Sequence, residues 1–206
     1  MSTLSRIWCA TTNPGKIREF QLGGWRAGFD VQTLPGLRNL EAPKETGVTF
    51  EENAILKARC YSRFAPDPVF VDDSGLGVEA LGGAPGVWSA RYAGPDADDD
   101  ANNQLLLERM KGQTNRAAQY VAVIALAEAG ELIETFEGVV EGELVEAARG
   151  AGGFGYDPLF FYPPFGCTLA EAQAERKIEV SHRGRALEKL FAYLAARRRC
   201  STSFQT

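Results

Sequence analysis

A short apolar run at residues 7–11 ends on a helix-start signal. Asn13 suits the N-cap, and Pro14 suits the first helical position, where a missing N–H costs nothing. The pattern predicts a helix from there to about Gly24, with Ile17 and Phe20 on its buried side, and a second strand over residues 29–34. Thr49-Phe50-Glu51-Glu52 reads as a capping box opening a helix to about Phe64. Its apolar stripe is Phe50, Ala54, Ala58 and Tyr61, and Pro66 and Pro68 stop it. Val69-Phe70-Val71 predicts a fully apolar strand whose end delivers Asp72-Asp73-Ser74-Gly75. Residues 82–94, rich in Gly and Pro, predict an irregular surface loop. Asp96 to Asp100 cap a helix reaching about Lys111, and residues 120–127 and 132–140 predict a hairpin around Ala129-Gly130. After a further loop at 150–155, Leu187, Leu190, Phe191 and Leu194 mark a last helix by their i, i+3, i+4, i+7 spacing. Helices alternate with strands and a hairpin follows. This order predicts an α/β protein: a central mixed β-sheet flanked by helices, elongated into two lobes with a cleft between them. Residues 1–195 read as that single domain and residues 196–206 as a frayed tail.

Composition narrows the class. With 206 residues, 45% of them hydrophobic, and a net charge of −5, the chain can bury a core of its own. No apolar stretch approaches the ~18 residues of a membrane span, and the N-terminus lacks a secretory pattern. Cys9, Cys60, Cys167 and Cys200 form no C-x-x-C pair and read as reduced thiols. The expectation is a cytoplasmic protein without a membrane partner. The acidic balance also argues against nucleic acid, which needs a basic face. His182 is the single histidine, so a multi-histidine zinc site is excluded. G-x-S-x-G, G-x-x-x-x-G-K-[ST] and G-x-G-x-x-G are all absent.

Several segments carry candidate chemistry. At Thr11-Thr12-Asn13-Pro14-Gly15-Lys16 a strand meets a helix N-terminus, whose free N–H groups and dipole favour an anion. Lys16 in the first turn opposes that dipole unless an anion is bound; a plain cap with an exposed lysine is the simpler reading. Asp72 and Asp73 are adjacent carboxylates that raise a pKa or demand a cation such as magnesium, or else belong to a turn. Glu45 supplies a further carboxylate, and Asn53 and Lys57 share a helix face at i, i+4. Gly152 to Pro158 presents Phe154 between glycines as a stacking platform or a half-buried loop aromatic. Ser181-His182-Arg183-Gly184 opens the last helix just after Lys177.

Taken in order these segments, together with Ser89-Ala90-Arg91-Tyr92, resemble the inosine triphosphatase family, the pyrophosphatases of non-standard purine nucleoside triphosphates. The resemblance runs from residue 10 to about 190. It implies a two-lobed α/β homodimer that cleaves inosine and xanthosine triphosphates (ITP, dITP, XTP) with Mg2+, between the α and β phosphates, to monophosphate and pyrophosphate. By motif match, Thr11, Thr12, Asn13, Pro14, Gly15 and Lys16 would hold phosphates, with Lys57 helping to offset their charge. Asp73 would be the general base, with Glu45 and Asp72 helping it to hold the metal, and Ser74 would contact substrate. Phe154, Gly155, Tyr156, Asp157, Lys177, His182 and Arg183 would form the base pocket. Donors such as Arg183 would meet a 6-oxo purine and oppose adenine's amino group. Two departures stand out: Cys167, where the family often has lysine, and Ala174-Glu175-Arg176 before Lys177. A pyrimidine triphosphate pyrophosphatase and a non-hydrolysing nucleotide sensor are the competing readings.

Overall fold

A computed structural model describes residues 4–202, the last three by backbone alone. Seven strands form one mixed sheet in the order β2-β1-β3-β4-β5-β6-β7. β1 (Ser5–Cys9) runs parallel to β2 (Phe29–Thr33) and β3 (Val69–Val78). From β3 the sheet continues antiparallel through β4 (Ala117–Glu128), β5 (Glu131–Leu144), β6 (Phe160–Tyr162) and β7 (Cys167–Thr168). The α/β mixed-sheet expectation is met.

The predicted start signals act as read. Asn13 caps α1 (Pro14–Arg26), and Thr49 and Glu52 close a reciprocal capping box on α2 (Phe50–Tyr61). Asp98 caps α3 (Asp99–Arg109). Ala129 and Gly130, at φ of 51° and 90°, make the two-residue turn of the β4–β5 hairpin. Both hairpin strands extend beyond their apolar cores, because backbone pairing continues after the hydrophobic pattern ends. Short α4 (Ala174–Val180), β6 and β7 carry no periodic signal and were not predicted. The last helix, α5 (His182–Thr202), is longer than its stripe. Its helical span reaches residue 202, so residues 196–202 continue it; residues 203–206 lie outside the described residues. Cys9, Cys60 and Cys167 are free thiols, and Cys167 sits in β7 opposite Tyr162. Among the described residues no helix is long and apolar enough to cross a membrane.

The largest correction concerns β3. The strand does not stop at Val71 but runs to Val78, so Asp72-Asp73-Ser74-Gly75 lies inside the sheet, opposite residues 121–124 of β4. Strand alternation then sorts its side chains. Phe70 joins Phe20, Ile124 and Leu187 under α1 and α5, whereas Val69 and Val71 join Ala54, Ala58 and Tyr61 under α2. Phe20 is fully buried and meets Phe70 edge-on at 5.1 Å, fixing α1 beside the strand. Such a pair adds about 0.5–1.5 kcal/mol to the burial of the rings. A third cluster, including Leu76, Leu106, Tyr120, Leu159 and Phe160, fills the far end of β3–β6.

Gly138 of β5 lets the start of α5 lie against the sheet, because a Cβ there would run into the His182 carbonyl and the Ala186 amide. Gly138→Ala is expected to lose about 1–3 kcal/mol by overpacking, read as a lower urea midpoint at unchanged slope.

Candidate active site

Because residues 72 and 73 point to opposite faces, each carboxylate draws its own cations. Asp72 faces α1 and α5. Its Oδ1 lies 2.5 Å from Lys16 Nζ, and its Oδ2 accepts from Arg183 Nε at 3.2 Å. Ser74, two positions on, accepts from Arg183 Nη2 at 2.9 Å. Asp73 faces α2, where Lys57 Nζ donates to it at 2.6 Å. Lys57 also bonds Glu45 Oε1 at 2.9 Å, and Arg91 donates to the other Glu45 oxygen at 2.9 Å. Asn53, buried on α2, holds the Glu45 segment by bonding both the N–H and the C=O of Gly47.

The predicted metal trio is therefore divided. Glu45 and Asp73 converge on one ammonium, and two hard carboxylates that already share one cation fit a magnesium ion, which takes one or two carboxylates plus phosphates. The Asp72 carboxylate does not join them, because the pleat turns it to the other face and Lys16 and Arg183 occupy it. Burial opposes its charge, yet those two cations hold its carboxyl far below the usual range. For Asp73 the balance reverses: burial outweighs Lys57 and raises its pKa, the direction a general base requires. Burial works against the charge on Lys57, but Asp73 and Glu45 together raise its pKa.

The Thr11–Lys16 turn lines the same cavity as Glu45, Lys57 and Arg91, an open space of about 1060 Å³. Its amides are less free than the sequence implies. The Asn13 side chain accepts from the N–H groups of Gly15 and Lys16, and Thr11 Oγ1 accepts from that of Asn13. The Lys16 ammonium adds a cation to the turn, one already paired with Asp72. Burial lowers its pKa and Arg183 and Lys57 repel it, against the pull of Asp72.

The predicted base-pocket residues come together on the Asp72 side. Lys177 is buried between Asp157 at 2.5 Å and Glu19 at 2.6 Å, and Glu19 reaches on to Arg183 Nη1 at 2.9 Å. Asp157 also accepts from the Phe154 amide, and Gly153 and Gly155 turn that loop at φ of 71° and 63°. The Phe154 ring lies against Gly15, where a Cβ would strike it, and 5.0 and 4.8 Å from the charges of Lys177 and Arg183. Tyr156 donates to the Ser89 carbonyl. Gly155 is held on both sides, its N–H donating to Asp99 and its C=O accepting from Asn103.

Sequence reading missed Glu19, Asp99 and Asn103. It also quoted Arg91 without a role. Glu19 had a legible signal, three positions after Lys16 and so on the same helical side. Asp99 and Asn103 had none, since both act on a loop over 50 residues away. His182, at the start of α5, is 1% exposed, stacked on Tyr120 with ring centroids 4.5 Å apart, and neither ring nitrogen has a partner among the described residues.

A model of the Ham1 family matches residues 7–193. A dITP/XTP pyrophosphatase of Acidobacterium capsulatum is 46% identical over 197 residues, 91% of this chain and 97% of that protein. One from Thermus thermophilus is 50% identical over 188 residues, 90% of this chain and 89% of that protein. The solved structure of the Staphylococcus aureus Ham1 protein superposes with a TM-score of 0.82 at 39% identity, over 94% of this chain and all of that one.

Burial, then Arg183 and Lys177, push the His182 pKa well below the usual value of 6.5. The folded state thus refuses a proton that the unfolded chain accepts, and stability falls as pH drops below about 6.5. Urea unfolding at pH 7 and pH 5 is expected to show this slope, at most about 1.4 kcal/mol per pH unit. His182→Phe, which keeps a ring on Tyr120, flattens it.

Proposed function

The chain belongs to the Ham1 family, and from that membership we propose that it hydrolyses non-standard purine nucleoside triphosphates (ITP, dITP and XTP) to monophosphate and pyrophosphate. This reading makes it a Mg2+-assisted hydrolase of phosphoric anhydride bonds that clears such nucleotides from the cytoplasmic pool as a homodimer. The observation that carries it is the convergence of Glu45 and Asp73 on Lys57, with Glu45 and Lys57 lining the same cavity as the Thr11–Lys16 turn.

The residues divide the work by face. Lys16 and Lys57 meet phosphate oxygens, the turn from Thr11 to Gly15 shapes the floor beneath them, and Ser74 contacts the substrate while it holds Arg183. Glu45 and Asp73 are the groups that would hold magnesium; bound there, the ion supplies charge neutralisation and Lewis acidity at the phosphates. Asp73, its pKa raised, takes the proton of the attacking water. Asp72 keeps Lys16 and Arg183 in place. Arg183, ionised at any working pH, offers donors to a 6-oxo purine. Lys177 and Asp157 set the Phe154 loop, and His182 keeps a neutral ring stacked on Tyr120. The three free thiols suit a reducing compartment.

A magnesium-dependent assay with ITP, ATP, GTP and dTTP in parallel tests the reading. Pyrophosphate released from ITP, with ATP and GTP about a hundredfold slower, is the expected result. Orthophosphate, or equal rates on all four, overturns it. Asp73→Asn is expected to lose roughly 10²–10⁴-fold in kcat while still binding nucleotide, which separates an enzyme from a sensor.

A further inference from the structure

The charges around the site cancel before any nucleotide arrives. Lys16, Lys57, Arg91, Lys177 and Arg183 are each ion-paired, and their partners are Glu19, Glu45, Asp72, Asp73 and Asp157. Five cations meet five carboxylates, so Lys16 and Lys57 can bond phosphate oxygens, but the surplus charge offered to a triphosphate of about four negative charges is only that of the Mg2+ ion. Buried ion pairs also resist separation, because an abandoned partner is left charged in a poor solvent.

Two other cations line the same cavity. Arg38 follows Leu37 in the short 3₁₀ turn Leu37–Asn39, and Lys44 directly precedes Glu45. Both are exposed, and among the described residues neither has an ion-pair partner. Leu37, buried under Leu34, and the Lys57–Glu45–Arg91 bonds fix the two ends of the segment that carries them. No residue of the Phe154 loop, nor Lys177, His182 or Arg183, lines this cavity. For a nucleotide whose base occupies that other region and whose phosphates reach Lys16 and Glu45, Arg38 and Lys44 are the further cations that this cavity offers to its terminal phosphates.

We propose that Arg38 and Lys44 form a pyrophosphate subsite, holding the β and γ phosphates of the substrate and then the departing pyrophosphate. This rests on the nucleotide reading above. The subsite is built for release: exposed cations give a screened, modest attraction, and neither must leave a carboxylate to make it. The buried pairs position the scissile region, while these outer charges receive the part that leaves.

Titration calorimetry with inorganic pyrophosphate and with inosine monophosphate, in magnesium buffer, tests the assignment. The double variant Arg38→Gln/Lys44→Gln is expected to bind pyrophosphate roughly tenfold more weakly, with a smaller salt dependence. Its affinity for inosine monophosphate stays within about twofold. Arg109→Gln/Lys111→Gln removes the same charge at exposed positions outside the cavity and is expected to change neither. Unchanged pyrophosphate binding in the first variant overturns the proposal, as does an equal loss in both variants, which marks a bulk-charge effect. Because pyrophosphate binding is read without turnover, a chain that hydrolyses no nucleotide yet shows the selective loss refutes the nucleotide reading and keeps the subsite. Turnover with no selective loss does the reverse.

Discussion

A strand that carries two ionised carboxylates through a hydrophobic core must be matched by cations on both of its faces. β3 imposes that requirement, and much of the architecture meets it. α1 delivers Lys16 and α5 delivers Arg183 to Asp72, while α2 delivers Lys57 to Asp73. The helices are placed by apolar packing, Phe20 on Phe70 for α1 and the Ala54–Ala58 face for α2. Packing alone leaves some freedom of rotation and slide. The ion pairs add register, since an ammonium must end within about 3 Å of its oxygen.

The pairs also join into a chain. Asp157, Lys177, Glu19, Arg183, Asp72 and Lys16 follow one another by direct contact across β3, α1, α4, α5 and the Phe154 loop. Glu19 is the member that couples the Thr11–Lys16 turn to the loop beyond, because it sits on the helix that the turn begins and grips both cations of the far side. On the α2 side a shorter series runs from Asp73 through Lys57 and Glu45 to Arg91. One continuous strand thus separates two polar networks that a reading of adjacent residues treats as one.

How much of this was legible follows from the range of each signal. The helix starts at Asn13 and Thr49 and the turn at Ala129-Gly130 are fixed by a few neighbouring residues, so local pattern finds them. The extension of β3 through Asp72 is decided by pairing with β4, about 50 residues later, and no local rule anticipates acidic residues inside a sheet. The same holds for the site. Each motif residue was identifiable, but which carboxylate faces which cation depended on the strand's length. Asp99 and Asn103 escaped notice because their role exists only once the Gly155 loop lies beside α3. His182 could be singled out, yet its burial against Tyr120 depends on Gly138 admitting the helix.

The contact between Phe154 and Gly15 has a thermodynamic corollary. The ring lies over the charges of Lys177 and Arg183, so the protein's own side chain covers these two cations. Any molecule that takes those cations must first lift the ring. Its apparent affinity is then its intrinsic affinity scaled by the fraction of molecules with the ring already raised. Loosening the loop would raise occupancy by poor ligands as readily as by good ones. A ring held over its two cations therefore sets a threshold that weak binders do not clear.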